Sequence, residues 1–112
     1  MKNNNCIVDL TDLHFIMQVL GGKWKLQILT KLYFGKKRFK ELEREVEGIS
    51  PKMLIKELKD LKAIGIVSRE TFNTVPITVE YSLTKEGLTL KPLLDQMREW
   101  TIQFKKDLQK VN

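Results

Sequence analysis

The 112-residue sequence predicts one α+β domain, mostly α, and three observations carry that prediction. Apolar residues recur at three- and four-residue spacing up to Ile64. The spacing changes to alternation between Ile66 and Thr84, and it turns helical again from Lys85 onward. A chain of this length buries one modest core and has no room for a catalytic domain beside a second module. No repeat or low-complexity tract divides it, so residues 1–112 are expected to form a single domain behind a flexible N-terminal arm at 1–8.

Leu10, Leu13, Ile16, Met17 and Leu20 share one helical face, and Gly21-Gly22 stops that first helix, with Thr11 or Asp9 as its cap. Trp24, Ile28, Leu29 and Leu32 predict a second helix from Lys23 to Phe34, ended by Gly35. Phe39, Leu42 and Val46 predict a third from Arg38 to Val46, after a tight basic connection. In "GISPKMLIKELKDLKAIG", Ser50 is a good N-cap, Pro51 stands where a helix needs no N–H, and Gly65 suits a left-handed C-terminal residue. The fourth helix should therefore run from Pro51 to Ile64, burying Leu54, Leu58, Leu61 and Ile64.

"IVSRETF" and "ITVEYSLT" are rich in β-branched and aromatic residues and are separated by the turn formers of "NTVP". They predict two antiparallel strands, with Val79 and Tyr81 facing inward. From Lys85 to Lys110 an apolar seam of Leu93, Met97, Trp100, Phe104, Leu108 and Val111 predicts one helix about 35 to 40 Å long at 1.5 Å per residue. A core built from the preceding residues cannot cover a seam of that length. Part of it therefore calls for a second chain.

Twenty Lys and Arg against 14 Asp and Glu give a formal charge of +6, which favours a polyanionic partner. The excess is local, because Lys23, Lys25, Lys31, Lys36, Lys37, Arg38 and Lys40 fall in a stretch without one carboxylate. A single cysteine excludes an intrachain disulfide. The polar start does not resemble a signal peptide, and no apolar run approaches the roughly 20 residues of a membrane span. A cytoplasmic protein with no membrane partner is expected. The inventory for catalysis is poor: His14 is the only histidine and reads as a surface or interface residue. Paired carboxylates, a phosphate-binding glycine loop and metal-ligand spacing are all absent from the sequence. Neither an enzyme nor a metal or other cofactor is expected.

Helices followed by a two-stranded hairpin are the layout of a winged helix-turn-helix, in which the helix before the hairpin enters the DNA major groove. "VEGIS" supplies the short turn, with Gly48 for a steep crossing and Ile49 to plug the corner. Lys52, Lys56 and Lys59 stripe the fourth helix opposite its leucines. Such a stripe is by itself a solvated face, and Glu57 and Asp60 nearby agree with that reading. Three features point instead to DNA. No carboxylate precedes Glu57, so the helix amides and dipole stay open to phosphate. A major-groove helix reads bases with its N-terminal residues, here Ser50, Pro51, Lys52, Met53, Ile55 and Lys56. Arg38 and Lys40 begin the helix that crosses the backbone, and Arg69 and Asn73 stand in and beside the hairpin loop. The acidic run Glu41, Glu43, Glu45 and Glu47 is expected to be a solvated face pointing away from DNA. A different class of function, a winged-helix module whose basic face meets an acidic protein, fits the same charge pattern.

"LGGKWKLQIL", "RFKELE", "GISPKMLIKELKDLKAIGIVSR", "VEYSLTKEG" and Trp100, taken in order, resemble the HxlR-type family of bacterial winged-helix regulators within the MarR-like group. The resemblance covers residues 6–100. It implies a homodimeric transcription factor, a repressor or dual regulator of a nearby operon, binding double-stranded DNA at a roughly palindromic operator. The helices at both ends form the dimer interface in that reading, with Leu13, Met17, Leu93, Met97, Trp100, Phe104 and Leu108 as contacts and residues 85–112 as the C-terminal dimerisation helix. Some members sense electrophiles or oxidants through a cysteine near the N-terminus, and Cys6 stands in that place. The family commonly follows that cysteine with proline where this chain has Ile7. A sensor thiol needs access and a lowered pKa, and Asp9 works against the second. A small-molecule or oxidant effector acting through Cys6 and a structural cysteine at the dimer interface both remain readings of that residue.

Overall fold

The computed structural model describes residues 10–111, the side chain of Val111 excepted. Cys6, Ile7 and Asp9 lie outside the described residues, and so does the contribution of Val111 to the C-terminal seam. The elements in chain order are α1 (Thr11–Leu20), α2 (Lys25–Leu32), β1 (Lys37–Arg38), α3 (Phe39–Glu45), α4 (Pro51–Ala63), β2 (Val67–Phe72), β3 (Thr78–Leu83), α5 (Lys85–Leu88) and α6 (Lys91–Val111).

The core forms where α2, α3 and α4 cross. Ile28, Leu29 and Leu32 of α2 meet Leu42 of α3 and the Leu54, Leu58 and Leu61 stripe of α4, with Val46 and Ile49 closing the turn between α3 and α4. Gly48 in that turn has φ +87°, a left-handed conformation that a side chain would strain. Ile49 is buried there as the sequence suggests, whereas Ile64 is exposed. It is the C-cap of α4, where the chain turns away from the core into the Gly65 corner, so it does not extend the leucine stripe.

The sheet has three antiparallel strands in the order β1-β3-β2, not the two that the residue pattern predicts. Lys37 pairs with Tyr81 and Arg38 with Glu80, so the basic connection before α3 is itself an edge strand of two residues. A strand that short shows no alternation, and its charged residues resemble a loop. The β2–β3 hairpin keeps the expected register, from Val67 opposite Leu83 to Phe72 opposite Thr78, and places residues 73–77 at its tip as the wing. Tyr81 is buried, and Val79 packs against the core.

Two helix ends also differ from expectation. Leu10 is the N-cap of α1 and makes no side-chain cap hydrogen bond, in place of Thr11 or Asp9. The predicted helix from Lys85 to Lys110 is divided at Thr89 and Leu90 into α5 and α6. Thr84 Oγ1 caps α5 through the amide of Gly87 at 3.0 Å. Gly87 then lies so close to the Ile66 carbonyl that a Cβ could not fit, which docks α5 against the sheet before α6 departs in a new direction.

The 21 residues of α6 span about 31 Å. Leu94 is its buried side chain among the described residues, and Lys91 Nζ lies 5.8 Å from the Tyr33 ring centroid, so the helix is anchored near its start. The rest extends away from the core. The Cα radius of gyration is 17.3 Å, against about 13 Å for a compact chain of this length.

Candidate nucleic-acid interface

Helix α4 turns three arcs toward three environments, and each successive residue advances about 100° around its axis. Leu54, Leu58 and Leu61 face the core. Lys52, Lys56 and Lys59 lie within about 60° of one another on the opposite side and are exposed. Between them, on the flank facing α2, lie Glu57 and Asp60.

That flank overturns the reading of Glu57 as part of a solvated face. Glu57 is buried, and its Oε1 accepts a hydrogen bond from Lys25 Nζ at 2.6 Å, the two side chains being 11% and 15% exposed. Lys25 Nζ also lies 3.5 Å from Asp60 Oδ2, which Lys56 Nζ reaches at 3.1 Å. The two carboxylates of α4 are thus drawn toward α2 by Lys25. The hydrogen bond to Glu57, reinforced by both carboxylates against partial burial, holds the Lys25 ammonium above its ordinary pKa. Asp60 is held below the ordinary carboxylate value, first by its hydrogen bond from Lys56. Lys52 and Lys59 have no ion-pair partner among the described residues, so the outward arc keeps its positive charge.

The N-terminus of α4 carries no acidic residue in its first turn. Ser50 Oγ accepts from the Met53 amide at 3.1 Å, Leu54 N donates to Ser50 O, and Pro51 has no N–H. Of the first-turn amides, Lys52 N alone stays open, a narrower opening than the sequence implies. Ser50, Pro51, Lys52 and Lys56 are brought together as an exposed surface, whereas Met53 is half-buried against the core and turned away from it.

The supporting elements carry a second group of cations. Arg38 and Lys40 are exposed where β1 meets α3, and Arg38 N donates to Glu41 Oε1 at 2.8 Å. Arg69 is exposed on β2 and donates to Thr71 Oγ1 at 3.2 Å, while Asn73 is exposed at the wing tip. Glu80 lies 3.7 Å from Lys36 and 3.9 Å from Arg38, and Glu45 pairs with Lys37 at 3.2 Å. The acidic run is therefore not one solvated face: Glu41 holds the start of its own helix, Glu45 binds a lysine of β1, Glu43 is half-buried, and Glu47 alone of the four is exposed. The basic stretch is correspondingly less charged in the fold than in the sequence, because Lys25, Lys36, Lys37 and Arg38 all have acidic neighbours.

An open groove of about 1070 Å³ lies between α3, α4 and the wing, and Arg38, Lys40, Arg44, Lys59, Lys62 and Arg69 contribute to its walls. Arg44 and Lys62 do not stand out in the sequence, and Lys59 does so only as part of the lysine stripe of α4. Lys59 and Lys62 stand four and seven positions after Ile55, a spacing that places all three on one flank of the helix. That signal was present, but it gained meaning only when the wing was seen to face it.

Among the described residues no group of three or more His, Cys, Asp and Glu side chains could hold a metal ion, and no helix is long and apolar enough to cross a membrane. His14 is exposed on α1.

Residues 19–109 match the family model described as HxlR-like helix-turn-helix. The chain is 48% identical over 86 residues to the HTH-type transcriptional regulator YybR of Bacillus subtilis, covering 77% of this chain and 69% of the relative. It is 44% identical over 100 residues to YkvN of the same organism, covering 89% and 80%. Among solved structures, the redox regulator HypR in its reduced form superposes with a TM-score of 0.81 at 42% identity, over 89% of this chain and 99% of that one. The reduced transcriptional regulator YodB from B. subtilis gives 0.78 at 34% identity, over 87% and 95%.

The Lys25–Glu57 pair yields a stability prediction. Lys25→Met leaves a buried carboxylate without its cation and is expected to cost about 1–3 kcal/mol in urea unfolding at neutral pH. A group whose folded pKa is raised contributes fully below its unfolded value and loses that contribution as pH rises through the folded value. The gap between parent and variant should therefore hold through neutral pH and close as strongly alkaline solution deprotonates Lys25. A variant as stable as the parent would show that the pair contributes nothing to α4.

Proposed function

The chain belongs to the HxlR-like helix-turn-helix family of transcriptional regulators, and on that premise we propose that it acts as a homodimer on a two-fold-symmetric operator, in the cytoplasm, as a repressor of a nearby operon. The observation that carries the reading is the outward arc of α4, where Lys52, Lys56 and Lys59 stand together while Glu57 and Asp60 are drawn toward α2. Ser50, Pro51, Lys52 and Lys56 meet the major groove, Arg38 and Lys40 meet the flanking backbone, and Arg69 and Asn73 bring the wing to the duplex. Met53 supports this surface from behind. Lys56 can exchange its exposed partner Asp60 for a phosphate at little cost, because such i,i+4 pairs are worth only about 0.3–0.5 kcal/mol.

The dimer reading is supported by two apolar faces that the described chain leaves open. Leu13 and Met17 of α1 are more than half exposed, as is Trp100 of α6 at 65%, while Leu93, Met97, Phe104 and Leu108 continue the α6 face. Trp100 and Phe104 stack with centroids 4.9 Å apart and planes 9° from parallel, forming one flat aromatic surface. A contiguous face of this kind marks an interaction site. A second copy supplies the matching face by symmetry and sets the two α4 helices on two half-sites.

Cys6 is the candidate sensor in this reading, through which oxidation or an electrophile would release the operator. Its place near the N-terminus, the family resemblance and the likeness to the redox regulator HypR support it.

Three outcomes are expected. Lys52→Ala should weaken operator binding about tenfold and reduce the slope of log affinity against log salt by about 1, with an unchanged melting temperature. Unaltered mobility-shift titrations would remove α4 from the contact, and failure of the parent to retain any duplex would favour the module that binds an acidic protein. Trp100→Ala should weaken the dimer by about 2 kcal/mol or more in sedimentation equilibrium, and a monomeric parent would sink the dimer. Mild oxidant should release DNA from the parent and not from Cys6→Ser, while an equal response would take Cys6 out of the mechanism.

A further inference from the structure

Lys25 stands in a place that its own helix does not favour. It is the first residue of α2, where a cation opposes the helix macrodipole. Stability alone does not call for it, because a buried Lys–Glu pair can often be replaced by well-packed apolar residues without loss. Lys25 Nζ lies 2.6 Å from Glu57 Oε1 and 3.5 Å from Asp60 Oδ2, and Lys56 Nζ approaches the same Asp60 oxygen at 3.1 Å. These contacts form a continuous chain from the buried Glu57 to the outward arc of α4. Asp60 is the more exposed of its two carboxylates, with 46% of its side chain open to solvent, and it stands only about 40° around the helix axis from Lys56.

A carboxylate in that position faces whatever polyanion the lysine arc meets. Once Lys56 leaves it for a phosphate, Asp60 keeps Lys25 as its one ion-pair partner among the described residues. An ammonium has three donors, of which Glu57 takes one, so Lys25 can close on Asp60 without releasing Glu57. We propose that Lys25 is a positioning residue for DNA binding, which holds the Asp60 carboxylate toward α2 and neutralised while Lys56 engages the duplex. This role deepens the proposed reading of α4 and rests on it. Glu57 and Asp60 then have separate parts. Glu57 anchors Lys25 inside the fold, and Asp60 is the charge that Lys25 keeps from repelling the phosphates.

The two parts separate in mobility shifts and thermal melts of the intact protein, with a duplex that the parent selects from a random-sequence pool. Lys25→Gln combined with Glu57→Gln leaves a neutral pair able to keep a hydrogen bond, so this double variant should melt close to the parent. It should nevertheless bind the duplex about tenfold more weakly. Adding Asp60→Asn should bring affinity back to within about threefold of the parent, whereas Asp60→Asn in the parent should gain far less. Lys25→Met alone should lose both stability and affinity, and Asp60→Asn should then restore affinity without restoring the melting temperature. A double variant that binds like the parent would overturn the positioning role. So would a loss of affinity that Asp60→Asn leaves in place, because Lys25 would then act only through the fold of α4. If Lys52→Ala weakens binding while the Lys25 variants bind normally, the reading of α4 stands and the role of Lys25 alone falls. A parent that selects no duplex would overturn the reading of α4 and the role of Lys25 with it.

Discussion

The leucine stripe of α4 must be buried, and the placement of the functional surfaces depends on that constraint. Leu54, Leu58 and Leu61 are almost wholly removed from water against Ile28, Leu29, Leu32 and Leu42. Burying each such side chain is worth roughly 1.5–3 kcal/mol, so the rotation of α4 about its axis is not free to drift. Once the stripe faces inward, helical geometry sends Lys52, Lys56 and Lys59 outward, Glu57 and Asp60 toward α2, and Ile55 and Lys62 toward the wing. One packing requirement thereby sets three surfaces of different chemistry around a single helix.

Electrostatics refine that placement. A strongly basic sequence need not present a basic face, because Lys25 and Lys37 are engaged by Glu57 and Glu45, and Lys36 and Arg38 stand beside Glu80. On the outward arc of α4 and along the groove, Lys52, Lys59, Lys40 and Lys62 have no ion-pair partner among the described residues. Glu57 matters in this arrangement because it is buried. Its partner Lys25 comes from a different helix and ties the orientation of α4 to α2 with a directional contact that leucine packing lacks.

The small sheet links the two halves of the candidate interface. Pairing of Lys37 and Arg38 with β3 joins the start of α3 to the wing, so the supporting helix and the hairpin are held in a common frame. The close approach of Gly87 to the Ile66 carbonyl then turns the chain through α5 and sends α6 outward. The apolar seam of α6 is open because the domain core ends at Leu94, and the helix continues for four more turns beyond it.

Much of this was legible in local pattern. The leucine spacing, the Ser50 cap, the Gly48 turn and the alternation of the two long strands each depend on neighbours within a few residues, and all appear in the structure close to where the pattern places them. The lysine stripe on α4 was legible for the same reason. The two-residue strand β1 was not, because a strand is defined by its partner, here Tyr81 and Glu80 at 44 and 42 residues further along, and Lys37 and Arg38 have no pattern of their own. Nor did local sequence show that Glu57 is buried under Lys25, since an exposed and a buried glutamate on a helix look alike until the facing helix is known. The groove is the extreme case: Arg44, Lys62 and Ile77 belong to three separate segments, and only the folding of the wing back over α4 makes them one surface. The sequence by itself determined the elements and the side of α4 that seeks the core, because burial and capping act over short spacing. Tertiary structure alone decided which charges remain unopposed and where a concave site forms, because both depend on residues brought together from distant parts of the chain.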